Sequence, residues 1–306
     1  MSGETESQSE REIWDSLPRL SDRERGRAYF QLSGLAFENG QYLRSLTLAQ
    51  SACDYFHQLH DDEGFAHSLA SVAFSLYSLN RKEEAVRELL SAVMAMNKIE
   101  AREEWQYRHH LADWFKELER FEEAKGQMEL CLQNSLYQED RFAAACDYAG
   151  IGDITCDFGD CKDAIKNYES ARALFKEMRD VKRTADMDIF IARCYNHLKD
   201  GISAESFAIR AVGVFESLSI IEKTAQSYSQ MGRALINQAR FEDALVWLDR
   251  AYQKLVSKCP HNFDGIYVIQ ELKIKALQAL GRDNEAAELS RRNAALNETL
   301  QHEEAN

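Results

Sequence analysis

Small residues recur along the chain at two fixed spacings. A small residue ends a short polar turn every 39 to 42 residues, and these residues are Ser45, Ala85, Ala124, Ala164, Ala204, Ala244 and Ala286. Seven positions later come Ala52, Ala92, Cys131, Ala171, Ala211 and Ala251, with Asn293 in the last copy. Seven residues are about two turns of an α-helix, so each pair lies on one helical face. The spacing predicts seven helices that pack closely against neighbours.

A second pattern lies twelve or thirteen residues before the first small residue of each of these helices. It is a large aliphatic residue followed by a small one, as in Leu32-Ser33, Val72-Ala73, Leu111-Ala112, Ile151-Gly152, Ile191-Ala192 and Met231-Gly232. The last copy has Lys273-Ile274 instead. Each repeat is therefore predicted to be a hairpin of two antiparallel helices, A and B, joined by a short turn.

Composition agrees with a chain that is almost entirely helical. Only 2 of the 306 residues are proline, and 45% are hydrophobic. A net charge of −14 disfavours contact with nucleic acid, because the phosphate backbone is itself negative. No apolar run approaches the roughly 18 residues of a membrane span, and the polar N-terminus does not resemble a signal peptide. Seven cysteines without framework spacing predict a reduced, cytoplasmic protein without membrane contact.

These two patterns together resemble the tetratricopeptide repeat. The clearest copy is the sixth, with Tyr228, Met231, Gly232, Leu235, Phe241, Ala244, Leu248 and Ala251. The period is near 40 residues where the family has about 34, so longer helices or connections are expected. HEAT-type repeats share the longer period but lack the paired small residues. The resemblance implies an all-α, right-handed superhelical solenoid of antiparallel helix hairpins.

The ends of such a solenoid need polar caps. We expect a disordered segment and a short capping helix in residues 1–20, seven repeats in 21–300, and a disordered tail in 301–306. Ile13, Trp14, Leu17 and Leu20 have the helical spacing of a docking surface. Ser21 and Glu24 have the spacing of a capping box at the start of the first repeat.

Residue clusters that could support catalysis are few. Cys156 and Cys161 are interpreted as core thiols and not as a metal or redox pair. His109, Asp113 and Glu117 are four residues apart in sequence, so they share one helix face. That line could serve acid–base or metal chemistry, but a polar, ligand-facing stripe is the preferred interpretation. We predict no enzyme, no cofactor and no metal site.

In the family, the A helices line a concave groove that binds an extended peptide or a partner helix. Its ligand-facing positions fall here on three classes of residue. The basic and amide group is Arg193, Asn196, His197, Arg233, Asn237 and Lys275. The middle group, with its acidic residues, is His109, Asp113, Glu117, Asp153 and Asp157, and the apolar group includes Phe74 and Tyr77. The arginines would suit a carboxylate, whereas the acidic group would suit a basic stretch. Alternatively, these charges pair with one another across adjacent helices.

The predicted function is to hold a protein or peptide segment in this groove, as an adaptor or scaffold. One alternative is a peptide sensor whose solenoid changes conformation when its ligand binds. A second alternative is an enzyme built on the histidine and carboxylate stripe. Exposed apolar surface in the first repeats could also pair two molecules into a homo-oligomer. The sequence names no particular partner, since one fold serves many functions.

Overall fold

The computed structural model describes residues 8–304, with side chains from residue 10 to residue 294. This part of the chain contains only helices, turns and short connections, and no strand. The all-α prediction is confirmed. The disorder predicted for residues 1–7 and 305–306 lies outside the described residues.

Fourteen helices form seven A–B hairpins in the described chain. The A helices are α2 (Asp22–Glu38), α4 (Asp62–Ser78), α6 (Glu104–Glu117), α8 (Arg141–Asp157), α10 (Val181–His197), α12 (Ile221–Asn237) and α14 (Phe263–Ala279). The B helices are α3 (Tyr42–Gln58), α5 (Lys82–Lys98), α7 (Phe121–Tyr137), α9 (Cys161–Glu177), α11 (Gly201–Ser217), α13 (Phe241–Lys258) and α15 (Asp283–Glu304). Before them come α1 (Gln8–Ser16) and a short 3-10 turn (Leu17–Arg19). Helices of mostly 17 residues account for the long repeat period.

The connections between helices follow one recurring design. A residue with positive φ follows most of the helices, as at Gly40, Asn80, Gly159, Lys199 and Ala239. Aspartate then caps several of the following helices by accepting from a backbone N–H three residues on, at Asp61, Asp140, Asp160, Asp180 and Asp200. Most of the positive-φ residues are not glycine, so the turn geometry is imposed by the packing of the helices it joins.

The chain forms two compact units, residues 1–131 and 132–306, with the division inside α7. In the first unit, α1 and the 3-10 turn pack on the first hairpin. Trp14 lies edge-on to Tyr29, and Ile13 and Leu20 contact a buried cluster that includes Leu17 and Leu32. The predicted capping box is present, because Glu24 accepts from both the backbone N–H and the hydroxyl of Ser21.

The core of both units lies between the hairpin helices. The small residues predicted to allow close packing are all buried, as are the large aliphatic residues of the six regular A helices. In the second unit, Gly152 faces the ring of Tyr168, and a Cβ atom there would lie 2.7 Å from that ring. Tyr168, Phe175 and Ile191 are among the largest fully buried side chains of this unit.

Two predictions about the ends and the surface can be compared with this geometry. The last helix, α15, continues to Glu304, so residues 301–304 are helical although the sequence analysis expects a disordered tail from 301. The proposed domain limits at residues 20 and 300 stay predictions. Among the described helices, none is both long enough and apolar enough to cross a membrane.

Candidate functional site

The A-helix face is the surface formed by those positions of the A helices that face a ligand in the family. Each of the two units has one. In the first unit, Phe74 of α4 lies at the centre of an aromatic group. Its ring packs against Tyr107, His110 and Trp114 of α6, with centroids 5.0 to 6.2 Å away. On its other side, Phe74 and Phe37 line a cleft of about 210 Å³ between α2, α3 and α4. Phe74, one of the predicted apolar residues, thus lies between this aromatic group and the cleft.

One polar group of the first unit consists of Tyr77, Lys82 and Glu117. The Tyr77 ring stacks on Trp114, with centroids 4.4 Å apart. Lys82 Nζ donates to Glu117 Oε2 at 2.8 Å, and the Tyr77 hydroxyl also donates to Glu117. These two bonds lower the pKa of Glu117, whereas partial burial and the Glu117 carboxylate raise the pKa of Tyr77 to about 12. The Glu117 carboxylate is therefore largely neutralised by its neighbours.

The histidine and carboxylate stripe does not close into a single group. Asp113 is exposed, His109 is half-buried, and Glu117 is bound to Lys82 and Tyr77. The adjacent His110 contacts Phe74, and burial lowers the pKa of its imidazole. The carboxylate at the end of the stripe is thus bound by the preceding B helix, α5, which weakens an acid–base interpretation.

In the second unit, Asp153, Tyr168 and Arg193 form a connected polar group. The Tyr168 hydroxyl donates to Asp153 Oδ1 at 2.6 Å, and Arg193 donates to the same oxygen at 3.4 Å and to the Tyr168 hydroxyl at 3.2 Å. Burial and the Asp153 charge raise the pKa of Tyr168, so it stays protonated. Arg193 Nε is buried and has no hydrogen-bond partner among the described residues. One carboxylate therefore only partly satisfies this arginine.

Arg233 occupies the equivalent position on the next A helix, α12. It is half-buried and has no hydrogen bond, ion pair or ring contact to any described residue. Burial and the nearby Arg193 charge both lower the pKa of its guanidinium, although it remains a cation. A partly desolvated cation without a counter-ion is costly, and a bound anion would relieve that cost.

His197, one turn beyond Arg193, belongs to the same basic group. Its side chain is exposed at the end of α10. Partial desolvation and the charges of Arg233, Arg193 and Lys199 lower the pKa of its imidazole. The shift indicates positive potential over this part of the A-helix face. Arg193, His197 and Arg233, three of the predicted basic residues, are thus close enough to affect one another's ionisation.

The asparagines have a different place from the one predicted. Asn196 is fully buried, and its amide nitrogen donates to the backbone and side-chain oxygens of Gln230 at 3.0 and 3.1 Å. Asn237 in turn donates to the backbone and side-chain oxygens of Asn196 at 3.0 and 3.1 Å. Asn196 therefore links α10 to α12 and has no amide hydrogen to offer a ligand. Of the two asparagines, only Asn237, which is half-buried, has a side chain that is partly exposed to a ligand.

A cleft of about 410 Å³ lies between α12 and α14, and the carboxylates of Glu222 and Asp264 are part of its lining. Gln226, Ser229 and Gln230 of α12 line it, together with Lys223 and residues of α14. Gln226, Ser229, Arg233 and Asn237 repeat at three or four residues, so they lie on one face of α12. That face runs from the cleft to the arginine over about 10 Å, the length of about three extended residues.

Asp157 and Lys275, the remaining predicted residues, are both exposed, Asp157 at the end of α8 and Lys275 on α14. A larger cleft, of about 570 Å³, lies between α13, α14 and α15. Its charged residues pair with one another, as in the 2.6 Å contact between Lys273 and Asp249. This second cleft therefore offers less unsatisfied charge than the α10 and α12 surface.

Three cysteines meet behind the Asp153 and Arg193 pair. Cys156 of α8, Cys161 of α9 and Cys194 of α10 have sulfur atoms within 4.8 Å of one another. The Cys194 thiol donates to Cys156, 3.7 Å away, and this bond together with the Arg193 charge lowers the pKa of Cys156 to about 6 against the effect of burial. Cys161 and Cys194 also contact the apolar core, as predicted for a core thiol.

Sequence reasoning missed Tyr168 and Gln230. Tyr168 and its counterparts Leu89 and Leu248 each lie four residues after the first small residue of a B helix. A tyrosine at a core position needs a partner for its hydroxyl, and that requirement is the signal that could have identified it. Gln230 looks like an ordinary helix residue until its contact with Asn196 on the preceding A helix is known.

Comparison with known sequences supports the repeat assignment. A sequence model described as tetratricopeptide repeat matches residues 224–255, which cover most of α12 and most of α13. This is the copy whose residues follow the family pattern most closely. No curated protein sequence matches the chain.

Solved structures with a similar fold include the following three proteins. The tetratricopeptide repeat sensor protein from Pyrococcus horikoshii, a signal transduction ATPase with numerous domains, aligns over 96% of this chain and 45% of its own, with 16% identity and a TM-score of 0.70. RapI in its apo form aligns over 90% and 99%, with 12% identity and a TM-score of 0.64. A Rap protein complexed with Competence and Sporulation Factor aligns over 96% and 80%, with 16% identity and a TM-score of 0.53. The chain is a tetratricopeptide-like repeat protein of about seven helical hairpins.

Proposed function

We propose that this protein binds an extended peptide or protein segment along α12 of the second unit and holds an acidic group of that segment at Arg233. The observation that carries the proposal is the half-buried guanidinium of Arg233, which has no counter-ion among the described residues. Arg193 adds a buried donor without a partner, and exposed His197 adds a second polar contact. A carboxylate can accept two parallel hydrogen bonds from a guanidinium, which gives both affinity and orientation.

The neighbouring cleft supplies the rest of the proposed binding surface. Ser229 and Gln226 offer hydroxyl and amide groups to a peptide backbone, and Val268 and Ile269 of α14 offer apolar contacts. A segment that lies from this cleft to Arg233 would bring two or three side chains onto the α12 face. One of the structurally similar proteins is a Rap protein in complex with Competence and Sporulation Factor, which supports a protein or peptide as the ligand class.

The proposal favours a binding role over catalysis. The acidic stripe of the first unit is engaged by Lys82 and Tyr77, and the polar group of the second unit is built around cations and a protonated tyrosine. Such a surface recognises charge through hydrogen bonds and ion pairs. The protein is therefore proposed to act as an adaptor or a peptide receptor.

Short fluorescent peptides made in matched pairs test this proposal. The two members of a pair differ only by Asp or Glu in place of Asn or Gln. We expect the acidic members to bind the full-length protein more tightly, and Arg233→Gln to weaken their binding about tenfold or more, because a hydrogen-bonded charge pair contributes roughly 1.5–3 kcal/mol. Fluorescence anisotropy measures both effects.

Lys82→Gln is the matched control, since it removes a cation of the first unit that already has a partner. It should leave peptide affinity unchanged. Equal binding of acidic and neutral peptides, with no effect of Arg233→Gln, would contradict the assignment of Arg233. A complete absence of binding across the set would contradict the ligand class.

A further inference from the structure

Three cysteines far apart in sequence converge in the second unit. Cys156 lies in the last turn of α8, Cys161 is the first residue of α9, and Cys194 lies in the last turn of α10. Their sulfur atoms are all within 4.8 Å of one another, and those of Cys156 and Cys194 are 3.7 Å apart. Adjacent hairpins thus contribute to one cluster that no single repeat contains.

The spacing of the sulfurs fits a metal ion with thiolate ligands. Zinc–sulfur bonds of about 2.3 Å in a tetrahedral site keep the sulfur atoms roughly 3.8 Å apart. The separation of Cys156 and Cys194 already has this value, and Cys161 is within a small side-chain adjustment of it. A disulfide would join only two of the three sulfurs, so it accounts for less of the arrangement.

The surroundings of the cluster suit a thiolate site. Cys161 begins α9, where the helix dipole favours negative charge. The guanidinium of Arg193 interacts electrostatically with all three thiols. Cys161 and Cys194 are buried among apolar residues, whereas half-buried Cys156 leaves a route from solvent. These features provide a counter-charge, a dry pocket and access.

We propose that Cys156, Cys161 and Cys194 bind one soft divalent metal ion of the zinc class through three thiolates. On binding, three sulfur–metal bonds form and the remaining thiol protons pass to solvent, so no oxidant or reductant is needed. The three-thiolate complex carries one net negative charge, which Arg193 offsets. Solvent supplies the fourth ligand, reaching the ion past Cys156. Binding would tie α8, α9 and α10 together directly behind Asp153 and Arg193.

Titration of the reduced, full-length protein with Cd²⁺ tests this proposal, because cadmium thiolates absorb in the ultraviolet. We expect one ion per chain, protection of three of the seven thiols from a thiol reagent, and displacement of Cd²⁺ by excess Zn²⁺. Cys156→Ser should weaken binding at least a hundredfold, since loss of a direct ligand exceeds the effect of removing an outer-shell partner. Metal binding should also raise the melting temperature of the unsubstituted protein and leave that of Cys156→Ser unchanged.

Cys146→Ser is the matched control, because Cys146 is a half-buried cysteine on the same helix, α8, outside the cluster. It should bind Cd²⁺ like the unsubstituted protein. Circular dichroism of both variants without metal checks that each is folded. No ultraviolet band, equal loss in both variants, or protection of only two thiols would overturn the site. So would a disulfide between cluster cysteines that forms in air while the reduced protein ignores metal.

Discussion

Glu117 in the first unit and Arg233 in the second both lie on A helices, yet the surroundings of their side chains differ. Glu117 is bound by Lys82 and Tyr77, and the Tyr77 ring is stacked on Trp114. Arg233 is half-buried and has no partner among the described residues. The first unit thus neutralises its charge internally, whereas the second keeps a cation in need of an anion.

The first residue of the B helix also differs between the two units. In the first unit that residue is Lys82, which reaches the last turn of the next A helix. In the second unit the equivalent residue of α11 is Gly201, where a Cβ atom would lie 2.6 Å from the carbonyl oxygen of Ala234. Close helix packing there excludes a side chain that could pair with the groups at the end of α12. The same repeated position thus carries a lysine that pairs with a carboxylate in the first unit and a glycine that allows close packing in the second.

The largest expected effect concerns the packing beneath the two surfaces. Gly152→Ala should destabilise the protein by about 2 kcal/mol, because the new methyl group would overlap the buried ring of Tyr168, which Asp153 and Arg193 hold in place. The equivalent residue of the first unit, Ala73, faces no tyrosine, and Ala73→Gly should cost only about 0.5–1 kcal/mol. Urea denaturation followed by circular dichroism compares the two.

Equal losses of stability for these two variants would contradict the comparison. A gain in stability for Gly152→Ala would show that the Tyr168 ring can shift at little cost.

A moderate effect is expected from the carboxylate that partly satisfies Arg193. Asp153→Asn removes the ion pair between Asp153 and Arg193, which leaves more positive charge for a ligand. The affinity for acidic peptides should rise about two- to fivefold, the range of a partly exposed ion pair. Glu117→Gln in the first unit is the control and should leave the affinity unchanged. Fluorescence anisotropy with the same peptide pairs measures these affinities. Weaker binding by Asp153→Asn would contradict the placement of the peptide's acidic group near Arg193 and Arg233.

The smallest expected effect is a pH dependence of the affinity for acidic peptides, which arises from His197 in the second unit. The folded-state pKa of His197 is lowered, so below its unfolded value of about 6.5 the unfolded state takes up the proton first and stability falls. A carboxylate bound at Arg233 would favour protonated His197 and raise its pKa. Acidic peptides should therefore bind up to about twofold more tightly as the pH falls below 6.5.

His110 in the first unit also has a lowered pKa, caused mainly by burial, and serves as the internal reference. An NMR titration of the histidine ring protons should show that acidic peptide moves the pKa of His197 and leaves that of His110 in place. Movement of His110 alone would shift the binding surface to the first unit.

The sequence by itself determined the repeat architecture. Paired small residues seven apart and the preceding large–small pairs specify local helices and their contacts with immediate neighbours, because helical periodicity places those residues on one face. The buried residues at these positions follow the prediction copy by copy, from Leu32 and Ala85 to Ala251. The location of Arg193 and Arg233 on equivalent faces of adjacent A helices followed from the same register.

Only the tertiary structure decided which polar residues are available. Asn196 was predicted to face a ligand, but its amide is taken up by Gln230, and Glu117 is neutralised by a lysine 35 residues away in sequence. The three clustered cysteines come from three helices, although two of them were interpreted as separate core thiols. Hydrogen bonds and ion pairs depend on side chains that meet across hairpins, and helical spacing within one repeat carries no information about those meetings.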